Sequence, residues 1–73
     1  MAIDIRELAQ LANAAVSDEG FMGCTVESEE DRLLAFAFDS HINSHAFLAT
    51  RELHGMQAHI DDRRPTVVIV RQP

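Results

Sequence analysis

Residues 33–38 read Leu-Leu-Ala-Phe-Ala-Phe, and residues 67–70 read Val-Val-Ile-Val. Short apolar runs of β-branched and aromatic residues are the composition of strands. A strand with one face in water alternates apolar and polar residues, and neither of these runs does. In the first, Leu34, Phe36 and Phe38 share one face, and Leu33, Ala35 and Ala37 share the other.

Working outward from residues 32–39, the polar stretch Ser28-Glu29-Glu30-Asp31 is a short loop, and residues 21–27 form a preceding strand. Together they predict a β-hairpin. Met22, Cys24 and Val26 fall on one face of the earlier strand, and Phe21, Gly23 and Thr25 on the other. Ser17-Asp18-Glu19-Gly20 is a turn, and before it the spacing predicts a helix over residues 4–16. Asp4 is placed to cap this helix, with Glu7 three residues later as in a capping box. Ile5, Leu8, Leu11, Ala12, Ala15 and Val16 form its apolar stripe.

After the hairpin, Asp39 or Ser40 can cap a second helix over residues 41–60. Its seam is Ile42, Ala46, Ala49, Leu53, Met56 and Ile60, with steps that alternate four and three. Gly55 interrupts the seam and offers an alternative end for the helix, but Met56 and Ile60 continue the spacing. Residues 61–65 turn the chain into a last strand over residues 66–71. The expectation is one small α+β domain over residues 1–73, ordered αββαβ, with a three-stranded sheet and both helices on one face in a two-layer fold. The last strand can then lie beside the first, antiparallel, or beside the second, parallel to it through a right-handed crossover.

Two helices on one side leave the other side of such a sheet bare. Leu33, Ala35, Ala37, Val67 and Ile69 are then expected to form an exposed patch, and patches of that kind mark interfaces. A homodimer through sheet faces or strand edges would supply stability that a chain of 73 residues is short of. Cys24 is the sole cysteine, so no disulfide can form within the chain.

Apolar residues make up 47 % of the chain and charged residues 25 %, a globular composition. No run approaches the roughly 20 apolar residues of a membrane span, and the start of the chain lacks the pattern of a signal peptide, so the expected location is cytoplasmic. Twelve acidic residues face six arginines, for a net charge of −6. Nucleic-acid affinity comes mainly from cationic contacts to phosphates, so direct binding to nucleic acid is not expected. An acidic domain is instead steered toward a basic partner protein. Glu27, Glu29, Glu30 and Asp31 around the hairpin loop are the candidate partner-binding residues.

Residues able to carry chemistry are few. His41 and His45 are four apart and share a helix face, the spacing of a metal-chelating pair. On a helix over residues 41–60, His59 lies roughly 21 Å farther along the axis and cannot join them. Asp39, Cys24 or a second subunit would have to complete the site. Cys24 sits mid-strand between apolar neighbours, the setting of a small hydrophobe and not of an activated thiol. Arg63 and Arg64 stand beside Asp61 and Asp62 and are largely neutralised by them. There is no Gly-rich phosphate loop and no paired-cysteine motif. No catalytic residues, metal or cofactor are assigned.

The reading that follows is a small acidic protein-binding module, an inhibitor or adaptor that acts by binding a partner protein. An inhibitor of a host defence complex carried by a phage or mobile element, such as an anti-CRISPR protein, is one context. Immunity proteins and antitoxins are others. The contrasting reading is a dimeric ligand- or metal-binding domain or enzyme that uses the helix histidines, with Glu52 or Cys24 beside them.

Overall fold

Asp4 begins the first helix as the sequence requires. Its carboxylate accepts hydrogen bonds from the backbone N–H groups of Arg6 and Glu7, at 3.0 and 3.2 Å, and caps α1 (Ile5–Ala15). The other half of a capping box is replaced by a longer-range contact. The N–H of Asp4 donates to the side-chain oxygen of Gln72 at 2.8 Å, and the Gln72 amide donates back to the Asp4 carbonyl at 3.1 Å. The computed structural model describes residues 3–50, 53 and 55–73. Glu52 and His54 lie outside the described residues.

The chain continues through β1 (Phe21–Ser28), β2 (Leu33–Phe38), α2 (His41–Thr50), β3 (Gln57–Ile60) and β4 (Val67–Arg71). The four strands form one antiparallel sheet in the order β1-β2-β4-β3. The class is α+β, as expected, with four strands instead of three and the order αββαββ.

The added strand comes from residues assigned above to the second helix. That helix is described over His41–Thr50, Gly55 turns the chain at a φ of +86°, and Gln57–Ile60 pairs with β4. The reason lies in β4. Val67–Val70 is buried throughout, and without β3 it would be a bare apolar edge. Pairing that edge outweighs the local helical spacing. The last strand therefore lies beside the second, but antiparallel to it, with Leu34 opposite Val70 and Phe36 opposite Val68.

Both helices cover one face of the sheet. Leu34, Phe36, Phe38, Val68 and Val70 point toward them and pack with Ile3, Leu11 and Ala15 from the first helical segment and Phe47 from the second. All four phenylalanines meet here, and the Phe47 ring stacks on Phe36 with centroids 5.4 Å apart and approaches Phe38 at 5.1 Å. Phe21 joins through Phe38 at 5.7 Å.

Two expected faces are corrected. In β1 a bulge at Met22 inserts an extra residue between the pairs Phe21–Phe38 and Gly23–Ala37. Phe21 thereby reaches the same core as Cys24, and Met22 is left 71 % exposed. In α2 the buried side holds Ser44 and Phe47, whereas Ile42, Ala46 and Ala49 face solvent. Ser40 caps this helix by accepting from the Asn43 N–H at 3.2 Å. Ser44 is fully buried, and its hydroxyl lies 2.7 Å from the Pro65 carbonyl, which ties α2 to the loop between β3 and β4.

Candidate functional site

The hairpin loop is held by its own backbone. The N–H of Arg32 donates to the Glu29 carbonyl at 3.2 Å, and the N–H of Asp31 donates to the Ser28 hydroxyl at 3.1 Å. This fixes Glu29, Glu30 and Asp31 on a short exposed turn at one end of the sheet. No ion pair joins any of the three to another described residue.

Glu27 behaves differently from its three neighbours. Its carboxylate accepts from the Arg64 guanidinium at 2.7 Å, and the Nε of the same arginine donates to Asp61 at 2.6 Å. The Asp61 carboxyl is held below its ordinary range, first by the hydrogen bond from Arg64 and secondarily by the positive charges of Arg64, His59 and Arg63. Glu27 is therefore largely neutralised and drawn away from the acidic loop.

This arginine also bears on the face opposite the helices. Leu33, Ala35, Ala37, Val67 and Ile69 do share that face. They are not an open patch, however. Ala35, Val67 and Ile69 are only 4, 7 and 4 % exposed, and Leu33 and Ala37 are half-buried. Glu27 belongs to one edge strand, and Asp61 follows the other. By strand alternation Asp61 lies on the same outer side as His59, which pairs with Ile69. The guanidinium joins Glu27 of β1 to Asp61 of the loop after β3, and we expect it to lie over the outer side of the sheet.

Removing this strap has a predictable result. Arg64→Ala should uncover the apolar strip and make the protein self-associate, read as a rise in mass by light scattering at micromolar concentration. A monomer as stable as the parent would show that the strap is dispensable. Acid acts in the same direction. Because the folded pKa of Asp61 is lowered, its contribution is present above the ordinary carboxylate pKa and fades as pH falls through the folded value.

The histidines do not converge. His41 and His45 lie on α2 with ring centroids 6.3 Å apart, and Nδ1 of His45 is 2.6 Å from the His41 carbonyl, which makes that nitrogen the donor. His59 is on β3, not on the helix. Among the described residues, no group of three or more His, Cys, Asp or Glu is placed to hold a metal ion.

Cys24 pairs with Phe36 and packs against the core. Burial pushes its thiol up from 9.0 to about 11. Near neutral pH it should carry on the order of 100-fold less thiolate than an ordinary cysteine, and should react with an aromatic disulfide reagent more slowly in proportion. Reaction at the rate of free cysteine would contradict its burial. Since the folded pKa is raised, the stability tied to this thiol is present below pH 9.0 and is lost as pH climbs toward about 11.

Two features escaped the sequence. The bridge from Arg64 to Glu27 joins residues 37 positions apart, and no local pattern announces it. The exposed stripe of Ile42, Ala46 and Ala49 lies on α2, whose described residues His41–Thr50 include no Asp, Glu, Lys or Arg, so this apolar surface stands out on an acidic protein. No protein-family model matches this chain, and no curated protein or solved structure is significantly similar to it.

Proposed function

We propose that this chain is a small acidic protein-binding module, an inhibitor or adaptor that works by covering a basic surface of a partner protein. The observation that carries this reading is the hairpin loop. Glu29, Glu30 and Asp31 are exposed, without ion pairs among the described residues, and fixed on a turn held by two hydrogen bonds. Charges presented on an ordered turn lose little freedom on binding, so more of their attraction survives as affinity. They also speed encounter with a surface of opposite sign. A protein groove that normally holds nucleic acid is one such surface, and a phage-encoded inhibitor of a host defence complex is a context that fits it.

The test is a charge-removal variant, Glu29→Ala/Glu30→Ala/Asp31→Ala. It should fold like the parent, because both hydrogen bonds of the turn use only backbone atoms of the substituted residues and therefore remain. Association with the partner should slow roughly tenfold or more at low salt, and the dependence on salt should flatten. An unchanged rate and salt slope would remove the loop from the binding surface.

The contrasting reading, a metal- or ligand-binding dimer built on His41 and His45, has two ligands from each chain and needs the rest from a second copy. A rise in melting temperature on adding zinc, reversed by a chelator, would favour it over the acidic module.

A further inference from the structure

We infer that a cavity at the Arg32 end of the sheet binds a small zwitterion, with a carboxylate against Arg32 and Arg71 and an ammonium against Glu30 and Asp31. It shares Glu30 and Asp31 with the protein-binding reading but rests on the cavity and on Arg32 and Arg71, which that reading does not use. The cavity holds about 470 Å³, and its lining includes these four residues, Gly55 and Gln57, with Gln72 and Pro73 closing the side next to Arg71. That volume is within the roughly 300–1,000 Å³ of small-molecule sites and exceeds the needs of a free amino acid.

Two observations point to a ligand. First, four charged side chains of opposite sign line one cavity, yet no ion pair forms among them, and neither arginine pairs with any other described residue. Second, Arg32 is held in two costly states. Its φ is +59°, a left-handed conformation that a non-glycine residue adopts at a cost of order 1 kcal/mol or more. Its Nε is closed off from solvent without a hydrogen-bond partner. The backbone keeps it there. The Arg32 carbonyl accepts from the Gln72 N–H at 3.0 Å, one step beyond the pairing of Leu33 with Arg71.

The chemistry of the lining then sets the class of ligand. A carboxylate matches the planar fork of a guanidinium with two parallel hydrogen bonds, and a small shift of the Arg32 side chain would bring its Nε into that fork. Glu30 and Asp31 repel a polyanion and attract an ammonium. A free α-amino acid offers both groups a few ångströms apart. Gly55 adds no side chain to the wall, and a Cβ there would meet no atom within 4 Å, so the wall leaves room for a ligand side chain.

The experiment is a titration of the ¹⁵N-labelled protein, following the side-chain Nε–H signals of its arginines, with L-alanine, acetate, methylammonium and inorganic phosphate as separate probes. L-alanine should shift the Arg32 and Arg71 signals saturably, at least tenfold more tightly than acetate or methylammonium, while Arg6 and Arg63 stay still. Arg32→Gln should weaken L-alanine at least tenfold. Arg71→Gln, at an exposed position, should do the same and guards against a folding defect in the first variant. Glu30→Gln/Asp31→Asn should bring L-alanine down to the affinity of acetate. Phosphate binding more tightly than L-alanine would overturn the zwitterion assignment. Equal shifts at Arg6 and Arg63, or no saturable shift with any probe, would overturn the site.

Discussion

Phe47→Ala is expected to remove about 3–5 kcal/mol of stability, whereas Ile42→Ala leaves it within about 0.5 kcal/mol of the parent. Phe47 is 2 % exposed and stacks on Phe36, while Ile42 is 69 % exposed on the same helix. Truncating a buried phenylalanine costs about 3–5 kcal/mol, since it forfeits the transfer of the ring and leaves a cavity that the neighbours fill only in part. A domain of this length has roughly 4–11 kcal/mol of stability in total. Chemical denaturation of the two variants checks the rotation of α2 directly. If Ile42→Ala were the more damaging change, α2 would be packed on the wrong side in this account.

The second large effect is expected at the far end of the chain. Gln72 is 2 % exposed, and its amide satisfies both the N–H and the carbonyl of Asp4. Gln72→Ala leaves the Asp4 N–H without its partner at the start of α1, while the Asp4 carbonyl keeps the Leu8 N–H at 3.0 Å. One part-buried group left unpaired costs about 1–2 kcal/mol, and a loss of that size is expected. Gln72→Glu should recover part of it at the N–H but not at the carbonyl, because a carboxylate can only accept. Amide hydrogen exchange should localise the damage to α1 and the end of β4. Uniform protection in the alanine variant would mean that the contact does not hold the helix.

These two predictions also mark where sequence reading ran out. The cap at Asp4, the hairpin, and the two-faced character of β2 and β4 were legible, because alternation and capping are local. The third strand was not. Met56 and Ile60 are four residues apart, a spacing that a helix face and a strand face satisfy equally well, and Ala58 between them is too small to break the tie. What decided the matter was the open edge of β4, which is a tertiary demand. α2 misled for a related reason. It carries apolar residues on two sides, Ile42, Ala46 and Ala49 on one and Phe47 and Leu48 on the other, and only the shape of the core chooses between them. The bulge at Met22 reversed the side of Phe21, and the adjacent Gly23 was its one local signal.

The site divides in the same way. Charge counting found the acidic loop, but it could not separate Glu27, which is tied to Arg64, from Glu29, Glu30 and Asp31, which are not. The apolar residues of the second sheet face cluster together, but their burial is a property of the folded chain that alternation alone does not state. Arg32 drew no attention as a loop residue, because a left-handed backbone and an unpaired buried nitrogen are properties of the folded chain alone.

The measurement that tests the central claim most directly is capture from the native host lysate, with the parent protein and the Glu29→Ala/Glu30→Ala/Asp31→Ala variant as parallel baits. One protein should be retained in stoichiometric amount by the parent, released at high salt, and recovered poorly or not at all by the variant. Equal retention of that protein by both baits, or no retained protein on the folded parent, would contradict that claim.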